Sequence, residues 1–200
     1  MDKLATVDAL VVQQQKEWGE ILSGFETKNK YVVMDAAGGT LYAAAEVGGS
    51  FLGRTFLKAA RPFTIKLLGL DGSLVLEVRR PFRFFFHEAD VLDAQGGLIG
   101  TIKRRWSVVR RIYAVLDGTG QEMFQLFGPL LHPWTFEIRD RGRTVGKITK
   151  KWTGLLKEGF TDADNFGVTF PADWDVELKA LFVGAVFLID FVHFEDTGRD

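Results

Sequence analysis

The residues best suited to chemistry lie between Asp162 and Asp173, in the run Asp-Ala-Asp-Asn-Phe-Gly-Val-Thr-Phe-Pro-Ala-Asp. Calcium takes about six to eight oxygen ligands, mostly carboxylates and carbonyls. Asp162, Asp164, Asn165 and Asp173 are the candidate ligands of a weak calcium site. Set against an EF-hand loop, Asp162, Asp164 and Gly167 occupy ligand or turn positions. Phe166, however, stands where a ligand is needed, and Asp173 is shorter than the usual bidentate glutamate. The same run also reads as an Asx-rich turn leading into a strand over Phe166 to Phe170. That second reading is favoured, because no pair of helices flanks the loop.

A second chemistry is cationic. Lys103, Arg104, Arg105, Arg110 and Arg111 cluster around Trp106. Arg139, Arg141, Arg143, Lys147, Lys150 and Lys151 gather ahead of Trp152. Cations attract anionic headgroups at about 1 kcal/mol each, and tryptophan prefers the membrane interface. Lys103, Arg104, Arg105, Trp106, Arg110, Arg111, Lys150, Lys151 and Trp152 are therefore candidate membrane contacts. Basic residues also guard the edges of hairpins against pairing, so both readings stand.

Other chemistries lack support. There are no cysteines, which removes disulfides, thiolate metal sites, thiol nucleophiles and palmitoylation. His87, His132 and His193 are far apart and show no ligand spacing, with His132 expected at a hairpin end. No nucleophile elbow, phosphate loop or dinucleotide fingerprint occurs, and a non-enzymatic protein is expected. A net charge of −1 argues against a nucleic-acid partner. The first residues carry no signal-peptide pattern, and Asp2 in place of glycine argues against myristoylation.

The elements that must position these groups are mostly strands. Gly at 22 and Phe at 18 of 200 residues point to many turns and many strands. Five segments repeat one design, an alternating apolar run, a short Asp/Gly turn and a second run. They are Tyr31–Tyr42, Thr64–Val78, Ala89–Lys103, Ile112–Leu126 and Phe136–Ile148. Each reads as a hairpin. Strands over Ala9–Gln14 and Phe166–Phe170 bring the number to about twelve, enough for an antiparallel sandwich or barrel. No linker interrupts them, so residues 1–200 read as a single domain with strands over about 8–171. Phe51–Lys58 is a candidate short helix.

The long apolar run Leu178–Phe194 admits two placements. It is 17 residues and contains Asp190 and His193. At about 1.5 Å per residue it is shorter than a bilayer core of about 30 Å. A helix apolar on all sides is equally the filling of a closed barrel. Length and Asp190 favour the buried helix, over about 176–194, and Gly184 and Ala185 would let it approach the wall closely. A single-pass anchor is the less favoured alternative.

These blocks resemble the phospholipid scramblase family over nearly the whole chain. The resemblance rests on Leu22–Tyr31, Arg61–Thr64, Gly146–Gly154, Phe160–Gly167 with Phe170-Pro171, and Gly184–Phe191. It implies a tubby-like fold, a twelve-stranded closed antiparallel barrel around a hydrophobic C-terminal helix. It further implies calcium-dependent, ATP-independent movement of phospholipid between leaflets, or phospholipid binding alone. One departure is plain. Where relatives carry a palmitoylated cysteine cluster, this sequence reads Pro81-Phe-Arg-Phe-Phe-Phe86. That run is expected to be a strand with inward phenylalanines, or else a shallow interfacial insertion.

The expected protein is thus a cytoplasmic, peripherally membrane-associated barrel whose partners are phospholipid headgroups. The alternative is a soluble tubby-like module that reads lipid or a protein partner and moves no lipid. Calorimetry on the purified chain tests the acidic loop. Any calcium binding there is expected to be weak, and no heat at millimolar calcium removes the metal from this reading.

Overall fold

The computed structural model describes residues 1–15, 29–47, 61–82, 86–150 and 165–194. They form twelve strands and one long helix. The strands are β1 (Ala9–Gln15), β2 (Lys30–Asp35), β3 (Thr40–Val47), β4 (Phe63–Leu68), β5 (Leu74–Arg80) and β6 (Glu88–Asp93). They continue as β7 (Leu98–Arg104), β8 (Arg111–Asp117), β9 (Glu122–Gly128), β10 (Thr135–Asp140), β11 (Arg143–Lys150) and β12 (Asn165–Thr169). Each strand pairs antiparallel with its sequence neighbour, and β12 pairs with β1 to close the barrel. The helix α1 spans Val176–His193.

All five expected hairpins are present, and each reverses through a turn that contains aspartate and glycine. Gly38, Gly72, Gly96, Gly120 and Gly142 each take a positive φ, between 81° and 87°. A register shift accompanies each hairpin. Four turns fit a type I turn ending in a left-handed glycine bulge, whereas in the β10–β11 turn Arg141 (φ 44°) joins Gly142 at positive φ, as in a two-residue type I′ turn. In three turns an aspartate Oδ1 accepts two backbone N–H groups. Asp35 binds Ala37 and Gly39, Asp93 binds Gln95 and Gly97, and Asp117 binds Thr119 and Gln121, all at 2.7–2.9 Å. These Asx bonds fix the reversal and hence the register of the strands that follow.

The hairpins place all five short turns at one end of the barrel, the turn end. The connections β7–β8 and β9–β10 leave from the opposite end, the loop end. Helix α1 enters at the turn end after β12 and runs to the loop end.

Alternation along each strand supplies the inner wall. Leu10 and Val12, Val33, Ala44, Ile65 and Leu67, Leu76 and Val78 line one half. Val91, Ile102, Val115, Leu126, Ile138, Ile148 and Val168 line the other. These residues form one cluster with Ala180 to Ile189 of α1, whose side chains are buried on every face. The helix is therefore the barrel's filling, as its uniform apolarity implied. Among the described residues no helix is long and apolar enough to cross a membrane.

The helix packs closest to β6 and β7. A Cβ added at Gly184 would lie 2.5 Å from Val91 Cγ2, inside van der Waals contact. Gly100 on β7 gives the matching clearance, since its Cβ would lie 2.9 Å from Leu181 Cδ2.

The turn end is sealed by a charge. Lys179 is fully buried in the first turn of α1. Its Nζ donates to the carbonyls of Leu4, Ala5 and Ala172 at 3.1, 2.9 and 2.8 Å. A cation is unfavourable near a helix N-terminus. Three carbonyl acceptors satisfy all three ammonium protons and offset that cost. The same bonds tie the 3-10 turn Asp2–Leu4 to the helix. Asp175 caps α1 by accepting from Leu178 N at 2.7 Å.

Two sequence expectations change. Phe82 and Phe86 are exposed and follow β5 rather than extending it, so the inward-strand reading of Pro81–Phe86 does not hold at those positions. Residues 83–85, and the expected helix Phe51–Lys58, lie outside the described residues.

The Gly184 contact sets two effects against each other. Helix propensity alone makes Gly184→Ala stabilising by about 1 kcal/mol. Overpacking against Val91 makes it destabilising by about 1–3 kcal/mol. The clash is expected to win, giving a lower urea midpoint; a raised midpoint would show that the helix sits more loosely than described.

Candidate functional site

The described residues offer two places where polar groups concentrate, and both are at the loop end. The first is a collar around the C-terminus of α1. Asp190, one turn from the helix end, accepts from Tyr31 Oη at 3.2 Å and lies 3.6 Å from Lys150 Nζ. Lys150 Nζ also stands 4.8 Å from the Phe194 ring centroid and 5.3 Å from that of Phe166. Beside them Arg61 forms a fully buried pair with Glu46 at 2.5 Å, and Asn29 donates to the same carboxylate at 2.7 Å. The Arg61 guanidinium covers the Phe191 ring at 4.3 Å.

The collar continues through two histidines. Arg80 Nη2 lies 2.6 Å from His87 Nδ1. Arginine has no acceptor, so Nδ1 of His87 accepts and carries no proton. Burial first, then the Arg80 and Arg104 charges, push His87 down to about 4. Burial, then Arg111 and Arg104, push His193 down to about 3. Tyr113 Oη lies 2.8 Å from His193 Nε2, and burial raises the phenol. The neutral imidazole and the protonated phenol share this hydrogen bond, whose direction follows the imidazole tautomer. The collar thus pairs its groups with one another and closes the barrel around the helix.

The second concentration is on the outside. The β7–β8 connection carries Trp106, Val108 and Val109, and the β9–β10 connection carries Leu130 and Leu131, all exposed. Both are held in shape. Arg110 N donates to Ser107 Oγ at 3.1 Å. Arg111 donates to three carbonyls of the neighbouring connection, Pro133 at 2.5 Å, His132 at 3.4 Å and Pro129 at 3.5 Å. Trp134 stacks on Phe194 just past the helix end, with centroids 5.4 Å apart.

A family model described as Scramblase matches residues 1–196. The chain belongs to the Scramblase family. It is 36% identical over 214 residues to phospholipid scramblase 1 of Mus musculus, covering 100% of this chain and 65% of that protein. Identity to phospholipid scramblase 1 of Homo sapiens is 36% over 212 residues, covering 99% of this chain and 66% of the relative. It is also 36% over 211 residues to phospholipid scramblase 2 of Bos taurus, covering 98% and 72%. The chain thus spans about two thirds of the length of the scramblase 1 proteins it matches. An X-ray structure of an Arabidopsis thaliana protein superposes with a TM-score of 0.50 at 14% identity, covering 92% of this chain and 91% of the other. That likeness bears on fold alone. It agrees with the tubby-like barrel around a C-terminal helix.

On this Scramblase-family barrel the expected site residues separate. Trp106 and Arg110 are exposed at the loop end. Arg104 is half-buried there, and Arg111 turns its guanidinium to the β9–β10 carbonyls. Lys103 lies 3.6 Å from Glu88, and Arg105 pairs with Glu122. Lys150 is not a surface contact. It is buried against Asp190, because β11 ends beside the helix C-terminus. Arg141 and Arg143 belong to the turn end, so the second basic group is not one surface. Lys151 and Trp152 lie outside the described residues.

The candidate calcium ligands also separate. Asn165 begins β12 at the loop end and is buried. Asp173 is exposed beyond the other end of that strand. A five-residue strand spans roughly 13 Å from first to last Cα at about 3.3 Å per residue, so the two side chains cannot share one ion. The four-residue set therefore does not fit calcium. Asp162 and Asp164 lie outside the described residues. Among the described residues no three His, Asp or Glu side chains converge on a metal position.

Leu130, Leu131, Val108 and Val109 were not among the candidates. Their signal was legible: two leucines between Pro129 and Pro133, and an apolar tip bracketed by paired arginines.

The buried histidines predict acid sensitivity. Unfolded imidazoles titrate near 6.5, whereas the folded rings stay neutral to about 4 and about 3. Their contribution is whole above about pH 6.5 and is lost as pH falls toward the folded values, by at most about 1.4 kcal/mol per pH unit for each ring. His193→Gln is expected to flatten the pH dependence of the unfolding free energy between about pH 5 and 6.5. An unchanged slope would place His193 in a solvated setting.

Proposed function

We propose that this protein handles phospholipid at a membrane surface and promotes its passive, ATP-independent movement between leaflets. The observation that supports this most is the Scramblase match over residues 1–196, carried on a barrel whose interior is filled by its own helix. Because Ala180 to Ile189 occupy the lumen, acyl chains are not carried inside the barrel. Phospholipid is therefore engaged from outside, at the exposed basic and aromatic loop end. No step of this reading passes through calcium, since Asn165 and Asp173 stand apart; calcium enters only as a variable to be measured.

A second reading is a regulatory module that binds lipid headgroups or a protein and moves no lipid. The fully packed helix favours it, since its apolar faces are already buried in the barrel core.

Reconstitution in liposomes with a fluorescent phospholipid separates the two. Under the first reading, a membrane-impermeant reductant bleaches outer-leaflet probe and then the inner-leaflet fraction that the protein exposes. The experiment is run with and without calcium. Bleaching that stops at the outer leaflet in both conditions sinks the transport reading and leaves the binding module.

A further inference from the structure

The two ends of the barrel differ in charge and in polarity, and the loop end carries a feature built for a specific kind of surface. Its β7–β8 connection reads Arg104-Arg-Trp-Ser-Val-Val-Arg-Arg111, an apolar tip between two arginine pairs with no carboxylate. The β9–β10 connection, Pro129-Leu-Leu-His-Pro-Trp134, also has no carboxylate. Leu131 is 89% exposed, Val108 80% and Trp106 77%. Exposed apolar groups of this size mark interaction surfaces.

The two tips act together. Arg111 links them, because it starts β8 and its guanidinium donates to the carbonyls of Pro129, His132 and Pro133. Those bonds hold Leu130 and Leu131 outward. The Arg110 guanidinium lies over Phe127 at 5.1 Å, beside the same surface.

The turn end carries Lys3, Arg141 and Arg143 but a larger number of carboxylates. Asp35, Asp71, Asp93, Asp117 and Asp140 stand at its five reversals, and Asp173, Asp175 and Glu177 lie at the start of α1. Hydrogen bonds from Thr119 and Gln121 hold the Asp117 carboxyl below the usual carboxylate range, and those from Ser73 do the same for Asp71. Among the described residues the turn end thus carries more carboxylates than cations, whereas the β7–β8 and β9–β10 connections at the loop end carry arginines and apolar tips, with Arg105 paired to Glu122.

We infer that the loop end docks on an anionic phospholipid bilayer, with Trp106, Val108, Val109, Leu130 and Leu131 inserted and the arginines at headgroup level. The inference rests on the reading of this chain as a phospholipid-handling protein and assigns its contact surface. Charge decides the occupant. An anionic surface attracts the arginine-bracketed tips and repels the carboxylates of the turn end, which orients the barrel axis along the membrane normal. Tips of this kind enter the headgroup and acyl boundary to about 5–10 Å, and interfacial tryptophan stabilises that depth.

The absence of cysteine allows a direct test on the full chain. Leu131→Cys and, at the turn end, Gln95→Cys are each labelled with an environment-sensitive fluorophore. Each is mixed with phosphatidylcholine vesicles with and without phosphatidylserine. A blue shift at position 131 that requires phosphatidylserine, with no shift at 95, is the expected result. No shift at 131, or an equal shift at 95, overturns the orientation. Independently, the doubly substituted chain Trp106→Ser/Leu131→Ser is expected to keep its thermal unfolding and lose vesicle partitioning by about 100-fold. Unchanged partitioning overturns the insertion. A native dimer that this variant disperses, without any vesicle-dependent shift at 131, overturns the bilayer in favour of a second copy. Docking without leaflet exchange would end the transport reading and leave this one standing. Exchange with position 131 unshifted would do the reverse.

Discussion

The structure depends on one constraint: a closed barrel of twelve strands has a lumen too wide for its own side chains to fill. Only a helix of about 10 Å diameter fits that space, and it has to be apolar on every face. The apolar run after β12 meets this requirement, and Gly184 and Gly100 let it press against β6 and β7. The filling turns a ring of hairpins into one core, because every strand then packs on a common axis.

A helix inside a barrel has to end inside it, and its two ends are treated differently. At the turn end Lys179 is satisfied by three carbonyls and ties the first residues of the chain to the helix. At the loop end Asp190 is matched by Tyr31 and Lys150, with the Arg61–Glu46 and Tyr113–His193 pairs alongside. A buried charge without partners would be costly, so these groups are held in register. Their positions explain why a basic residue that reads as surface, Lys150, lies inside. They also separate the interior chemistry, which closes the barrel, from the exterior tips, which remain exposed.

Much of this was legible. The five Asp/Gly reversals located the hairpins because positive φ and Asx bonding are local requirements that only a few residue types meet. The helix was legible because a run apolar on all faces, shorter than a bilayer and carrying Asp190, has few other places to go. The site was less so. Asp162, Asp164, Asn165 and Asp173 look like one loop in sequence, yet β12 carries Asn165 and Asp173 to opposite ends of the barrel. Proximity along a chain becomes distance when an extended strand intervenes. Leu130 and Leu131 were overlooked for the converse reason, since two leucines in a short segment look like core until their direction is known.

The sequence by itself determined the number of strands, the positions of the turns, the presence of an axial helix and the Scramblase membership, because periodicity, turn chemistry and residue order act locally along the chain. Only the tertiary structure decided which charges are spent inside and which face outward. Lys150 and Lys103 are both lysines at or near a strand's loop end. One meets Asp190 of the helix in the interior and the other meets Glu88 on the outer wall. That difference is set by which face of the sheet each side chain takes and by what has packed there, and neither is fixed until the barrel has closed on its helix.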